Sequence, residues 1–417
     1  MSGGGRGEVA LTLPGIYLFG YGLGGMITGP FSEVFGRNPI YIFSLTMLCL
    51  FEMGSGLSST IGTHIACRFV SGFFASVTVV GSGGSLNDIW SPIQRVWAFP
   101  IYASATYIGT IVGIVPSSLI GTSLSWARHW VSWIDIILAA SLLVFVLLFQ
   151  PETYAPSLMR WKARHLRRLT GDNRYRAPVE QTEVSFSSRL AHALYRPVIF
   201  MIREPIVGLV SLYLALIFIV LYTFLAGYIY IFVKLYHLSP ALVGALAQST
   251  SVGVAISWLT VPLAMKCVQR DVALASSRGH SRPPPEISLY MAMFGAPAIP
   301  ISLFWLGWTA RPSISPWSAL GASALFGYGS ICVIISMLQY IADTFEFYAA
   351  SAMGTVSLVR FAAAGGVVTV SFPFYENLGV GDTLTILACL SFAMLPMPYI
   401  FYKFGHHIRR LSIYAVR

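Results

Sequence analysis

Four ionisable residues, Glu52, Arg68, Asp135 and Arg360, fall within stretches of sequence that are otherwise almost wholly apolar. A charge at the centre of a bilayer costs about 3 kcal/mol on insertion scales, so charges at such positions are expected to pair, move ions or meet a ligand. Glu52 and Asp135 could carry protons; interhelical hydrogen bonding or a place at the membrane surface would also accommodate them. Arg68 stands near enough to the end of its stretch to snorkel outwards. Arg360, in mid-stretch, is expected to face polar groups between helices. A second set of charges lies in Gly29-Pro-Phe-Ser-Glu33-Val-Phe-Gly36-Arg37-Asn-Pro39, which joins two apolar stretches. So short a connection needs a tight turn, which Gly36 and Pro39 can supply. Glu33 and Arg37, four residues apart, can pair or reach charges on a neighbouring helix. Enzyme chemistry is not expected. The histidines are scattered, no nucleophile–base spacing or metal-ligand cluster occurs, and the cysteines (Cys49, Cys67, Cys267, Cys332, Cys389) form no C-x-x-C. No G-x-x-x-x-G-K-[ST] phosphate loop occurs either, and no cofactor is expected.

The elements that must hold these residues are helices in a membrane. Eleven apolar stretches, each about long enough to cross a bilayer, run at 12–31, 39–59, 62–84, 96–121, 130–150, 205–232, 241–265, 287–309, 315–341, 350–372 and 383–403. Apolar residues make up 56% of the chain and charged ones 10%, against about a quarter charged in soluble domains. With the connection after the first stretch placed inside and the sides alternating, 20 of the 26 lysines and arginines fall in inner loops and the C-terminal tail. That asymmetry is the positive-inside rule with one consistent orientation. The net charge of +10 is therefore matched to acidic lipid headgroups and topology, not to nucleic acid.

The stretches divide into a first lobe at 1–154 with five spans, a cytoplasmic linker at 155–204, and a second lobe at 205–417 with six spans and a short basic tail. Within the linker, Leu158, Trp161, His165 and Leu169 share one helical face with arginines on the others. This predicts a basic amphipathic helix on the inner leaflet, with a solvated linker as the alternative. A second inner loop, 266–286, contains GHSRPPPE and reads as disordered. Glycines in the first span (Gly20, Gly22, Gly24, Gly25, Gly29) and the third (Gly81, Gly83, Gly84) predict close helix packing. Two bundles joined by a basic linker is the plan of a transporter built from related halves.

The segment from Gly29 to Arg37 resembles the G-x-L-x-D/E-x-x-G-R loop of the major facilitator superfamily. The wider chain is similar to the fungal drug:proton antiporters of the twelve-span type, the group with polyamine and cycloheximide-resistance exporters. RFVSGFF (68–74), DIWSPIQR (88–95), PETY (151–154), KARHLRRLTGDNRY (162–175), REPI (203–206), FWLGWTARPSI (304–314), YIADTFEFYAASA (340–352) and FYKFGHHIRRLS (401–412) carry the resemblance. It implies a cytoplasmic gate around Gly29, Glu33, Gly36 and Arg37, with Asp88, Arg95 and Glu152 as companions; anchoring of helix ends is the alternative. Arg68 matches an arginine near the family's proton-coupling chemistry, and Arg360 is placed as in the family.

For the substrate, Tyr222 and Tyr228, in an aromatic series with Tyr213, Phe224 and Tyr230, could wall a cavity for a bulky amphipathic compound. Gln248, Trp258, Gln339 and Tyr340 are polar-capable wall candidates. Ordinary packing explains all of them equally well.

Three departures from the family are visible. The first span of this chain aligns with the family's second. The fifth-span motif, Gly109-Thr-Ile-Val-Gly113-Ile-Val-Pro116-Ser-Ser118, lacks the usual prolines and final glycine pair. Ala226 and Ile229 stand where the family often has an acid and a proline, which favours neutral or hydrophobic substrates over cations. The expected protein is a monomeric proton-coupled exporter of small hydrophobic or amphipathic molecules in the plasma membrane, with the vacuolar membrane as the other address. A truncated, transport-incompetent remnant and a proton-coupled uptake carrier are the alternatives.

Overall fold

A computed structural model describes residues 4–121, 127–181, 186–277, 284–412 and 414. Every regular element among them is a helix. The apolar stretches form long helices because in hydrocarbon each backbone N–H and C=O must be satisfied within its own segment. In chain order they are α1 (Gly4–Phe35), α2 (Arg37–Gly56), α3 (Ile61–Ile89), α4 (Ile93–Pro116) and α5 (Ala127–Phe149). The linker holds α6 (Ala155–Thr170) and α7 (Phe186–Arg203). The second lobe begins with α8 (Pro205–Leu235), α9 (Leu242–Leu274), α10 (Pro285–Thr309) and α11 (Pro316–Phe345).

The last helical stretch, Ala349–Arg410, has 62 residues, or about 93 Å at 1.5 Å per residue, far more than one bilayer core of about 30 Å. It is broken at Gly379, whose φ of 81° and ψ of 170° no helix tolerates. The break yields α12 (349–378) and α13 (380–410), matching the two stretches expected on either side. Nine helices among the described residues are long and apolar enough to span a membrane. Dividing the last at Gly379 gives ten, and α1, over the first expected stretch, packs along α12.

Two seams join the lobes. Along the first, α1 runs against α12 with backbones nearly touching: a Cβ on Gly354 would lie 2.5 Å from the carbonyl oxygen of Gly25, and one on Gly29 2.7 Å from that of Ala350. Small residues are required at such crossings. The same α1 packs its Gly20 and Gly24 against carbonyls of Phe69 and Phe73 in α3. The second seam joins α4 to α9. Gln248 Nε2 donates to the Ile111 carbonyl (3.1 Å) and Trp258 Nε1 to Ser104 Oγ (2.9 Å).

In the linker, α6 ends at Gly171 in the left-handed conformation (φ 68°). Leu158, Trp161, His165 and Leu169 are all exposed. Helix α7 enters the bundle through Phe200, which is fully buried against Phe345 and Tyr414. Most of GHSRPPPE lies outside the described residues.

Candidate functional site: charges at three depths

At the end expected to face the cytoplasm, α1 stops at Phe35 and Gly36, at φ 104°, redirects the chain into α2. The new N-terminus is capped from across the lobe. Glu152 accepts the Arg37 backbone N–H (2.9 Å) and the Asn38 N–H (3.3 Å), as well as those of Thr153 and Tyr154. A carboxylate here satisfies orphan amides and meets the positive end of the helix dipole. The Arg37 guanidinium is buried. It binds Asp88 (3.0 Å) and Ser32 Oγ (2.5 Å) and lies over the ring of Tyr154. Tyr154, in the connection after α5, has its phenol pushed up to about 12 by burial and then by the nearby Glu33 carboxylate.

Of the two courses open to Glu33 and Arg37, pairing or reaching neighbouring helices, they take the second. The turn at Gly36 places the two residues on different helices, and each takes a partner elsewhere. Glu33 accepts from the backbone N–H and the hydroxyl of Ser351 in α12 (both 3.2 Å), and from Arg196 of α7 (3.2 Å), whose guanidinium lies over Tyr348. Glu33 thus caps the first turn of α12 from the opposite lobe.

Arg95 also crosses between lobes. Its Nη1 meets Asp343 at 2.8 Å, while Nε and Nη2 donate to the carbonyls of Trp90 and Asn87 (both 3.0 Å). Both side chains are under 10% exposed. Alongside, Asn87 donates to the Glu346 carbonyl at 2.9 Å. Of the seven residues expected at this end, Arg37, Asp88, Glu152 and Gly36 form one knot inside the first lobe. Glu33, Arg95 and Gly29 instead face the second lobe. Asp343 and Ser351 were not singled out beforehand, although both lie in YIADTFEFYAASA.

Near the outer end, Arg68 sits between two carboxylates. Its Nη1 is 3.4 Å from Glu52 and 3.6 Å from Asp135, and Nη2 donates to Ser132 Oγ at 3.2 Å. Glu52 is buried and its Oε2 has no hydrogen-bond partner among the described residues, whereas the Asp135 side chain is 45% exposed. Two acids share one base.

At mid-depth Arg360 is 2% exposed. Its guanidinium lies 5.1 Å from the ring centre of Phe218 and 4.9 Å from that of Phe361. Tyr222, from the expected aromatic series, stands beside Phe218 and faces this charge. Tyr228 instead donates to the Leu246 carbonyl (2.7 Å) and packs between Phe224 and Phe232. Gln248 and Trp258 belong to the α4–α9 seam. Gln339 is buried one turn from Asp343, and Tyr340 packs on Phe401 of α13.

Known proteins share this plan. A model of the Major Facilitator Superfamily matches residues 4–370. The chain is 42% identical over 407 residues to the MFS-type transporter kojT of Aspergillus flavus, covering 97% of this chain and 72% of that protein. It is 32% identical over 401 residues to the MFS-type efflux pump MFS2 of Trichophyton rubrum, covering 96% and 66%. A structure of the xylose transporter XylE from E. coli, in a partially occluded inward-open conformation, superimposes with a TM-score of 0.62 at 13% identity, covering 97% of this chain and 89% of that one. With its helical lobes, its two seams and its cytoplasmic charge cluster, this multi-pass membrane chain belongs to the major facilitator superfamily, whose members here are transporters and not enzymes.

Proposed function

We propose that this protein exports small hydrophobic or amphipathic molecules by proton-coupled alternating access, as a monomer in the plasma membrane. The observation that carries the proposal is the Glu52–Arg68–Asp135 triad. One guanidinium balances one of the two carboxylates, and the remaining negative charge leaves a place for a proton. The half-exposed Asp135 gives that place a route to the outer surface, and the unpartnered Oε2 of buried Glu52 is a ready acceptor. Arg95–Asp343 and Glu33–Ser351 hold the cytoplasmic ends of the lobes together. Contacts of this kind, made in one state and broken in the other, suit a rocking two-state machine. The name of the Trichophyton relative supports the outward direction. Reconstitution into vesicles with an imposed pH gradient tests the proposal. Gradient-dependent movement of a lipophilic dye is expected, and its absence across a panel of dyes and metabolites rejects proton-coupled export.

A further inference from the structure

Among the described residues the charge at mid-depth has no counter-ion. Arg360 lies 11 residues beyond the cytoplasmic start of α12, about 16 Å along the helix and so about halfway through the hydrocarbon core. Among the described residues no carboxylate pairs with it. Nη2 donates to Ser357 Oγ (3.1 Å) in its own helix, and Nε is buried with no partner at all. A buried ionised donor left unsatisfied is strongly unfavourable. Phe218 and Phe361 offset this only in part, since a ring face supplies less than the hydrogen bonds and counter-charge a buried guanidinium loses. The other groups facing the guanidinium are the phenols of Tyr21, Tyr102 and Tyr222, none of them a fixed negative charge.

These neighbours come from both lobes: Tyr21 from α1 and Tyr102 from α4, Phe218 and Tyr222 from α8, and Phe361 from α12. The place is therefore between the halves, where a carrier of this family holds what it moves. We infer that Arg360 is the anchor for the negative head of a small aromatic organic monoanion, a carboxylate or an ionised acidic hydroxyl. A planar guanidinium presents paired N–H donors that match two oxygens of one carboxylate, and the surrounding rings accept a flat apolar body. One cation suits one negative charge, which disfavours dianions. A cationic compound would meet Arg360 with nothing to offset it, and the apolar Ala226 and Ile229 of α8 offer such a compound no carboxylate. The inference rests on the transporter reading and narrows its substrate class.

The test uses the full chain in lipid nanodiscs at neutral pH, with calorimetric binding of benzoate, its neutral isostere benzamide and the cation benzylamine. Benzoate is expected to bind at least tenfold tighter than the other two, and R360Q to abolish that preference. R360K, which keeps the charge and loses the fork, should weaken benzoate severalfold while still preferring it to benzamide. The unfolding temperature of each variant is measured alongside; removing an unpaired buried charge should leave R360Q folded. Equal binding of benzoate and benzamide to the wild type, or an undiminished preference in R360Q, overturns the inference. Displacement of benzoate's preference by chloride alone at equal concentration would mark a general halide site and overturn it too. Gradient-driven movement of a neutral dye is followed in the same preparations. Dye transport without charge discrimination defeats only the anion anchor, and charge discrimination without gradient-driven transport defeats only the pump.

Discussion

Replacing Asp343 by asparagine should shift this protein away from its closed cytoplasmic state by a measurable factor. In the structure Arg95 and Asp343 are 2.8 Å apart and each under 10% exposed. Removing one partner of a buried ion pair costs about 3–5 kcal/mol when the other charge is left stranded. Here Arg95 keeps two carbonyl acceptors, those of Trp90 and Asn87, so the lower figure of about 3 kcal/mol applies. The pair spans the lobes, so the loss falls on the closed state and not on the state in which the lobes have parted. About 3 kcal/mol corresponds to about a hundredfold change in the ratio of the two populations. Spin labels on the cytoplasmic ends of α4 and α11 would read that change as a shift of their distance distribution to longer values in D343N and R95Q. The charge exchange R95D/D343R should restore much of the short-distance population, because it returns opposite charges to the same place. Distance distributions that match the wild type in both single variants would show that this pair does not hold the inner face shut.

Three further outcomes are expected. G36A combines a positive φ of 104° with a Cβ placed 2.5 Å from the Glu152 carboxylate that caps α2, and should destabilise the first lobe by about 1–3 kcal/mol; an unchanged unfolding temperature in detergent would contradict that reading. E52Q removes the acid with the unpartnered oxygen, and should abolish gradient-driven transport while leaving substrate counterflow intact; loss of both, or of neither, would count against a proton site there. Glu180 in the linker is held down to about 2 by hydrogen bonds from Arg167 (2.7 and 3.1 Å). A depressed carboxyl lends its stability above its ordinary value of 4.5 and loses it as pH falls towards 2. NMR titration should therefore place the Glu180 midpoint well below 4.5 in the wild type and return it towards 4.5 in R167Q.

The spans were legible because a bilayer demands about 20 apolar residues and tolerates few charges, a constraint written locally in the chain. Even the break at Gly379 was foreshadowed by the polar gap between 372 and 383. Helix α7 was not, since its arginines and Pro197 merge with the rest of 155–203 into one polar stretch, and only contact with Phe345 shows which face turns inwards. The cytoplasmic residues were recognisable as a group, but their partners were not. Helical spacing left Glu33 and Arg37 free to pair or to reach neighbouring helices, and a single glycine at positive φ decided for the second. Asp343 lies 248 residues from Arg95, and nothing local says which distant acid a basic residue will meet. Arg360 was visible as an oddity; that its described surroundings contain rings and phenols but no acid is a tertiary fact.

The two seams bear on whether a few polar contacts could set the state of so large a molecule in the proposed rocking cycle. Along α1 and α12 the helices meet backbone to backbone at Gly25 with Gly354 and Gly29 with Ala350. Such a crossing has no long side chains to disengage, so it can hinge or slide with little loss of packing. The α4–α9 seam is held by Gln248 and Trp258, each through a single hydrogen bond across the lobes, worth about 1 kcal/mol apiece. Against these soft seams, the buried Arg95–Asp343 pair and the Glu33 cap on α12 are discrete and directional. In the rocking cycle proposed above, both would have to break before the inner face opens and re-form when the lobes return to register. The equilibrium between states is therefore most sensitive at Arg95, Asp343, Glu33 and Ser351. It should be far less sensitive at Gln248 or Trp258, where Q248A, at about 1 kcal/mol, should change the population ratio only about fivefold, against about a hundredfold for D343N.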